Sequence, residues 1–226
     1  MSIRAIAFDL DGTLCHTLPD LVAAANASRA HMGLPPLPDA TIESYIGDGI
    51  PRLLHRVLTN SRDGDADAPP AAHAEAYRYF TAYYLEHLSD KTRPYPHVAE
   101  TLAALAQRGI ALAVITNKNE EHAKQLLADL DLARYFARVL GGDSLAEKKP
   151  SPLPLTTTAT AFGVAPAEML MVGDSANDIL AGKAAGCPTV AVTYGYADVR
   201  TLQTEPATRA DYLIEQFAEL LTLTED

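Results

Sequence analysis

Five short apolar runs recur along the chain, and they constrain its fold more than any other feature. The first is Ile6-Ala7-Phe8, and the others are Ile110–Thr116, Ala137–Gly142, Glu168–Asp174 and Pro188–Thr193. Each run is too continuous for a strand with one wet face, which favours a parallel sheet covered on both faces. Helical patterns alternate with them: Val98–Arg108, Glu120–Leu130, Pro152–Phe162 and Ala176–Ala185. This alternation predicts an α/β fold with a doubly wound, Rossmann-like parallel sheet, to which Asp211–Ile214 adds a candidate edge strand.

The interval after the first apolar run breaks this alternation. Residues 15–91 contain three helical patterns and no convincing strand, and the interval is far longer than the roughly 2–6 residues usual for a connection between a strand and a helix. We therefore predict a catalytic core of residues 1–14 and 92–226, with residues 15–91 inserted as a helical cap domain. The Asp- and Pro-rich segment Ser61–Ala72 is a predicted loop of that cap.

Composition narrows the classes of function. The chain has 226 residues and a formal net charge of −11, which argues against a nucleic-acid partner, since phosphate backbones attract basic surfaces. No apolar run approaches the ~20 residues needed to cross a bilayer, and the N-terminus lacks signal-peptide features. We expect a cytoplasmic protein without a membrane partner, as a monomer or a homodimer. The histidines and cysteines lack zinc-ligand spacing, whereas clustered carboxylates suit Mg²⁺.

Polar side chains follow four of the predicted strands, where ligands bind in doubly wound sheets. Together they offer a nucleophile, a hydroxyl donor, a cation and a second pair of carboxylates, which is a full set for phosphoryl transfer. The residues are Asp9 with Asp11, Thr116 with Asn117, Lys149, and Asp174 with Asp178.

These residues resemble the four signature motifs of the haloacid dehalogenase superfamily, in the family's order. "DLDGT" at Asp9–Thr13 resembles the first motif, Thr116 the second, Lys149 of "KKP" the third, and "GDSAND" at Gly173–Asp178 the fourth. The resemblance covers residues 1–14 and about 92–226, and the helical insert stands in the place of the superfamily's first cap type.

The resemblance implies a role for each matched residue, and the chemistry supports it. Asp9 would attack phosphorus to form an aspartyl-phosphate, and Asp11 would protonate the leaving alcohol and then activate water. The phosphoryl oxygens would be neutralised by Lys149 and Thr116, with a further contact from Asn117. Carboxylates repel a phosphate dianion, so a cation is required. The expected ligands of that Mg²⁺ ion are Asp9, Asp174 and the backbone carbonyl of Asp11, with Asp178 orienting a metal-bound water or Lys149.

Simpler interpretations stand beside these roles. Asp9 and Asp11 are also ordinary turn residues, Thr116 could cap a helix that begins near Asn119, and Lys148 with Lys149 could be a solvated pair. A second "GDS" at Gly142–Ser144 lacks an acid four residues after Asp143, so we interpret Asp143 as a loop residue at the rim of the site.

Similarity within the superfamily suggests a substrate. Val172–Tyr196 and Thr116–Lys118 are most similar to bacterial phosphoglycolate phosphatases, which implies hydrolysis of 2-phosphoglycolate, a small phosphate ester. The alternatives are a mutase or sugar phosphatase resembling β-phosphoglucomutase and, less favoured, a phospho-ligand binding module without catalysis. A carboxylate on the substrate needs a cation or donors, for which Arg52, near the Gly47–Gly49 turn, is the cap candidate; an arginine on a solvated helix face is the alternative.

Overall fold

Six parallel strands form one sheet in the computed structural model, which describes residues 2–62 and 68–225. In chain order these strands are β1 (Ala5–Phe8), β4 (Ala111–Ile115), β5 (Arg138–Leu140), β6 (Met169–Gly173), β7 (Thr189–Val192) and β8 (Tyr212–Ile214). The spatial order is β5-β4-β1-β6-β7-β8, and every neighbouring pair is parallel. All six coincide with predicted strands, including the edge strand, so the predicted fold class is confirmed.

Two further strands, β2 (Cys15–His16) and β3 (Arg93–Pro94), form a separate two-stranded sheet. The expectation of no strand within residues 15–91 is therefore wrong at Cys15–His16. A strand of two residues is too short to show the alternation or apolar run by which a sequence reveals one.

Ten α-helices lie in the described part of the chain. They are α1 (Leu18–His31), α2 (Asp39–Glu43), α3 (Ile50–Thr59), α4 (Pro70–Glu86), α5 (Val98–Gln107), α6 (Glu120–Asp129), α7 (Leu153–Phe162), α8 (Ala176–Ala185), α9 (Val199–Thr204) and α10 (Leu220–Leu223). Helices α5 to α8 agree with the four predicted between the strands to within one residue at each end. None of the helices described is long and apolar enough to cross a membrane.

The central strands of the sheet, β1, β4, β6 and β7, are buried on both faces, as their continuous apolar sequences require. Side chains of β1 alternate between the two faces. Ala5 and Ala7 belong to a buried cluster with Leu155 of α7 and Ala181 of α8. On the opposite face of the sheet, the ring of Phe8 contacts the rings of Phe136 and Phe217, at centroid distances of 6.2 and 5.6 Å. Burial on both faces leaves the ends of the strands as the accessible part of the sheet.

The chain divides into two compact units: the core unit comprises Met1–His16 with Pro94–Asp226, and the second unit comprises Thr17–Arg93. The second unit contains α1 to α4, and α1 packs against α4. The buried carboxylate of Asp20, near the start of the second unit, accepts hydrogen bonds from the backbone N–H groups of Lys91 and Thr92, near its end. The two ends of this unit are thereby held together. Within the predicted loop Ser61–Ala72, residues 63–67 lie outside the described residues, and the prediction is wrong from Pro70 on, where α4 begins.

Candidate active site

The carboxyl ends of the strands bring four of the predicted site residues together. Asp9 directly follows β1, Asp174 follows β6, and Asp178 lies in the first turn of α8. One carboxylate oxygen from each of these three residues lies within 4.8 Å of the others. The Lys149 Nζ atom, from the connection between β5 and α7, is 3.0 Å from Asp9 Oδ1 and 2.6 Å from Asp178 Oδ1.

Asp178 is fully buried, and its contacts fix the position of Lys149. Its carboxylate accepts a hydrogen bond from the Lys149 ammonium. It also accepts hydrogen bonds from the backbone N–H and the hydroxyl of Ser175, at 3.0 and 2.7 Å. Burial alone would lower the pKa of Lys149, but the carboxylates of Asp178 and Asp9 raise it above its usual value. Lys149 therefore stays charged, and Asp178 holds that charge beside Asp9.

Asp174 is the second buried carboxylate, and the chain is shaped closely around it. It accepts hydrogen bonds from the Thr13 hydroxyl at 3.3 Å and from the Tyr196 backbone N–H at 2.7 Å. A Cβ atom at Gly12, where φ is +81°, would lie 2.4 Å from Asp174 Oδ2, and one at Gly195 would lie 2.2 Å from Asp174 Cβ. Only glycine permits this close approach.

The charge of this cluster fits a divalent cation. Burial, followed by the charges of Asp178 and Asp9, raises the pKa of Asp174 to about 8. Three carboxylates with one ammonium leave an excess of negative charge away from water, which a bound cation would relieve. Oxygen atoms alone are the donor set of hard ions. The residues Asp9, Asp174 and Asp178 therefore fit a metal site.

The carboxylates of the site differ in how far they are exposed to solvent. The side chains of Asp9 and Asp11 are 13% and 16% exposed, whereas Asp174 and Asp178 are buried at 3% and 0%. Burial raises the pKa of Asp9 to about 6, with Lys149 opposing the rise, so Asp9 is mostly ionised at neutral pH. A ligand that enters from solvent meets Asp9 and Asp11 first.

Asp11 has a cationic partner that we did not predict as a site residue. The Nζ atom of Lys118 is 2.9 and 3.2 Å from the two carboxylate oxygens of Asp11, and the Lys118 side chain is 2% exposed. The signal that could have identified Lys118 is its position two residues after Thr116, at the carboxyl end of β4. A lysine in a turn is so ordinary that this position alone did not distinguish it.

The remaining residues near β4 and β5 have structural contacts of their own. The Thr116 hydroxyl accepts a hydrogen bond from the Lys118 backbone N–H at 3.2 Å, so it supports the turn before α6. The carboxylate of Asp143 caps that helix by accepting from the Glu120 backbone N–H at 2.8 Å, which makes the interpretation of Thr116 as the cap wrong. The Asn117 side-chain amide donates to the Lys149 carbonyl at 3.0 Å, and thereby ties the lysine's connection to the end of β4.

Arg52 belongs to the second unit, where it lies exposed on α3. Arg56, one turn further along α3, is buried. It donates a hydrogen bond to the Tyr45 carbonyl at 2.8 Å, and its Nη2 atom lies 2.7 Å from Asp48 Oδ2.

The thiol of Cys15 is also buried, and burial raises its pKa well above the usual value, which disfavours a reactive thiolate.

Comparison with known proteins agrees with this geometry. The family model described as haloacid dehalogenase-like hydrolase matches residues 6–192, and the chain belongs to this family. A solved structure described as a predicted phosphoglycolate phosphatase from Haemophilus somnus 129pt superposes with a TM-score of 0.90, at 36% identity, covering 100% of this chain and 99% of that one. CbbY from Rhodobacter sphaeroides in complex with phosphate gives a TM-score of 0.78 at 27% identity, over 96% of each chain.

Similar protein sequences indicate the activity more specifically than the solved structures do. The phosphoglycolate phosphatase of Neisseria meningitidis serogroup A is 54% identical over 96% of this chain and 92% of its own length. That of Chromobacterium violaceum is 48% identical over 98% and 96%. The chain is accordingly a phosphoric monoester hydrolase. Phosphatases of this family generally use a metal ion, and the three-carboxylate cluster described above offers ligands for one.

Proposed function

We propose that the protein hydrolyses 2-phosphoglycolate to glycolate and inorganic phosphate, in a Mg²⁺-dependent reaction that passes through an aspartyl-phosphate on Asp9. The observation that carries the proposal is the difference in access among the four carboxylates, since only Asp9 and Asp11 are open to an entering phosphate ester. The names of the relatives that are 48–54% identical support the substrate.

In the first step an oxygen of Asp9 attacks phosphorus, and the bond between phosphorus and the ester oxygen breaks. Asp11 donates a proton to that oxygen, and glycolate leaves as the alcohol. In the second step water attacks the phosphorus of the aspartyl-phosphate while Asp11 accepts its proton. The bond from phosphorus to Asp9 then breaks, which releases phosphate, restores the Asp9 carboxylate and leaves Asp11 protonated, as it was at the start.

Charge stabilisation in both steps comes from groups whose positions are fixed by hydrogen bonds. Lys149, oriented by Asp178, neutralises oxygens of the transferring phosphoryl group, and the Thr116 hydroxyl and Asn117 are further candidate contacts. Asp9, Asp174 and the Asp11 carbonyl, with Asp178 as a further candidate, would hold the Mg²⁺ ion. When bound, the cation supplies positive charge that offsets the repulsion between these carboxylates and the phosphate dianion.

A screen of phosphate release by the purified protein tests this function. We expect kcat/KM for 2-phosphoglycolate to exceed that for hexose phosphates at least tenfold, about 1.4 kcal/mol, with loss of activity after chelation and recovery with Mg²⁺. A preference for hexose phosphates would contradict the substrate. Conversion of a sugar 1-phosphate to its 6-phosphate, without a matching release of inorganic phosphate, would favour the mutase instead.

A further inference from the structure

We infer that the ammonium of Lys118 binds the carboxylate of the leaving group, so that the core unit selects phosphate esters of small 2-hydroxy acids. This inference rests on the proposed function and deepens it, because it assigns the recognition of the leaving group to a residue of the core rather than to Arg52.

The position of Lys118 beside Asp11 is the first argument. Its Nζ atom contacts both oxygens of the Asp11 carboxylate, at 2.9 and 3.2 Å, and Asp11 is the group that must reach the ester oxygen. In the phosphate ester of a 2-hydroxy acid, the carboxylate is attached to the carbon atom that bears this same oxygen. A substrate that places its ester oxygen at Asp11 therefore brings its carboxylate into the neighbourhood of Lys118.

The division of charge within the site is the second argument. Among the described residues of the core unit, Lys118 and Lys149 are the two buried cations. Lys149 lies between Asp9 and Asp178, and so its charge serves the phosphoryl group. Lys118 lies at the acid that serves the leaving group. Its side chain is only 2% exposed, so a substrate carboxylate reaches the ammonium only by sharing it with Asp11, which is the exposed partner of the pair. An ion pair formed there would be little weakened by water.

The backbone around Lys118 is held in place before any substrate binds. Its N–H donates to the Thr116 hydroxyl, and its carbonyl accepts from the Gly142 N–H at 2.8 Å. A Cβ atom at Gly141 would lie 2.7 Å from that carbonyl oxygen, which shows how closely the connection after β5 packs on this turn. A cation on a fixed turn loses little conformational freedom on binding, which favours selectivity.

The test compares two substrates that differ in one charge. They are 2-phosphoglycolate and the phosphate ester of glycolamide, in which a neutral amide replaces the carboxylate. The neutral variants are Lys118→Met and Lys118→Gln, of which the second can still donate a hydrogen bond to Asp11, and Lys118→Arg keeps the charge. The control is Lys124→Met, which removes an exposed ammonium paired with Glu120 on α6. Circular dichroism and thermal unfolding establish that each variant is folded.

We expect the neutral variants to lose kcat/KM for 2-phosphoglycolate on the order of 10–100-fold more than for the amide ester, as for the loss of a hydrogen bond between charged groups. Lys118→Arg should retain most of the preference, and Lys124→Met and Arg52→Ala all of it. Equal losses on both esters would overturn the inference, because Lys118 would then act only through Asp11. The absence of any loss on either ester would overturn it as well. A selective loss caused by Arg52→Ala alone would transfer the role to the second unit.

The inference and the proposed function fail in different ways. If the wild-type protein hydrolyses another carboxylated ester better than 2-phosphoglycolate, the proposed substrate is wrong, whereas a selective loss in the neutral variants still supports Lys118. If 2-phosphoglycolate is the best substrate and the variants lose both esters equally, the proposed function stands and the role of Lys118 falls. A wild-type enzyme that does not distinguish the two esters would overturn the inference, whereas the proposed function would still be decided by the comparison with hexose phosphates.

Discussion

At the scale of single residues, the four carboxylates of the site differ in how far water reaches them. Asp174 and Asp178 are buried and accept bonds from Thr13, Tyr196, Ser175 and Lys149. Asp9 and Asp11 keep an exposed face. The buried pair is suited to holding ions and side chains in place, and the open pair to touching the substrate.

Asp9→Asn should therefore abolish turnover without unfolding the protein. The amide keeps the size of the side chain but is a poor nucleophile, so we expect kcat to fall by at least ~10³-fold while the thermal unfolding temperature changes little. Asp143→Asn is the matched control, since it makes the same change at an aspartate outside the three-carboxylate cluster, one that caps α6. Steady-state phosphate release measures both, and an Asp9→Asn variant within tenfold of wild type would contradict the role of Asp9.

The sequence predicted which residues the fold brings together better than it predicted how they pair. The carboxylates and Lys149 could be located because they follow apolar strands whose parallel arrangement brings their ends together. The contact between Lys118 and Asp11 could not, because it joins residues 107 positions apart through a side-chain direction that no periodicity reports. The same holds for Arg52 and Arg56, which lie one turn apart on α3, one exposed and one buried.

At the scale of elements, the junction between β6 and α8 sets the position of both buried carboxylates. Asp174 is the first residue after β6, and Asp178 reaches back from the first turn of α8 to the N–H of Ser175. This arrangement brings Asp178 against Gly173, where a Cβ atom would lie 2.2 Å from Asp178 Cγ. The strand and the helix can meet in this way only if residue 173 has no side chain.

Gly173→Ala should consequently damage the site as well as the stability of the fold. The clash must displace Asp178 and, with it, Lys149, so we expect a stability loss of about 1–3 kcal/mol together with a large loss of kcat. Gly163→Ala is the control: φ is +64° there but no atom lies within 4 Å of the added Cβ, so it should cost about 1 kcal/mol and leave activity unchanged. Urea unfolding and phosphate release distinguish the two, and equal activities would refute the argument.

At the scale of the whole molecule, the site couples folding to pH and to metal. The pKa of Asp174, raised to about 8 in the folded protein by burial and by Asp178 and Asp9, lies far above the ordinary value of 3.8. The folded state thus retains a proton that the unfolded chain loses. Its contribution to stability is complete below pH 3.8 and is lost as pH rises toward 8. A divalent cation must displace this proton in order to bind.

We expect chelator-treated protein to unfold at lower temperature at pH 8 than at pH 5.5, and Mg²⁺ to raise the unfolding temperature more at pH 8. Calorimetric titration with Mg²⁺ near pH 7 should also report proton release, as the heat varies with the ionisation enthalpy of the buffer. In Asp174→Asn, which cannot titrate, the pH dependence and the proton release should both diminish. Stabilisation by Mg²⁺ that is the same at both pH values would contradict this coupling.

The aspartyl-phosphate on Asp9 is the central claim, and trapping it is the most direct test. The substrate is p-nitrophenyl phosphate, whose leaving group departs without the help of an acid. The Asp11→Asn variant lacks the base that activates water. It should therefore release one equivalent of p-nitrophenol in a burst and accumulate the phosphorylated protein. After rapid acid quenching, peptide mass spectrometry should find one phosphoryl group on Asp9. A phosphoryl group on any other residue, or sustained turnover without a trapped phosphoenzyme, would contradict the mechanism.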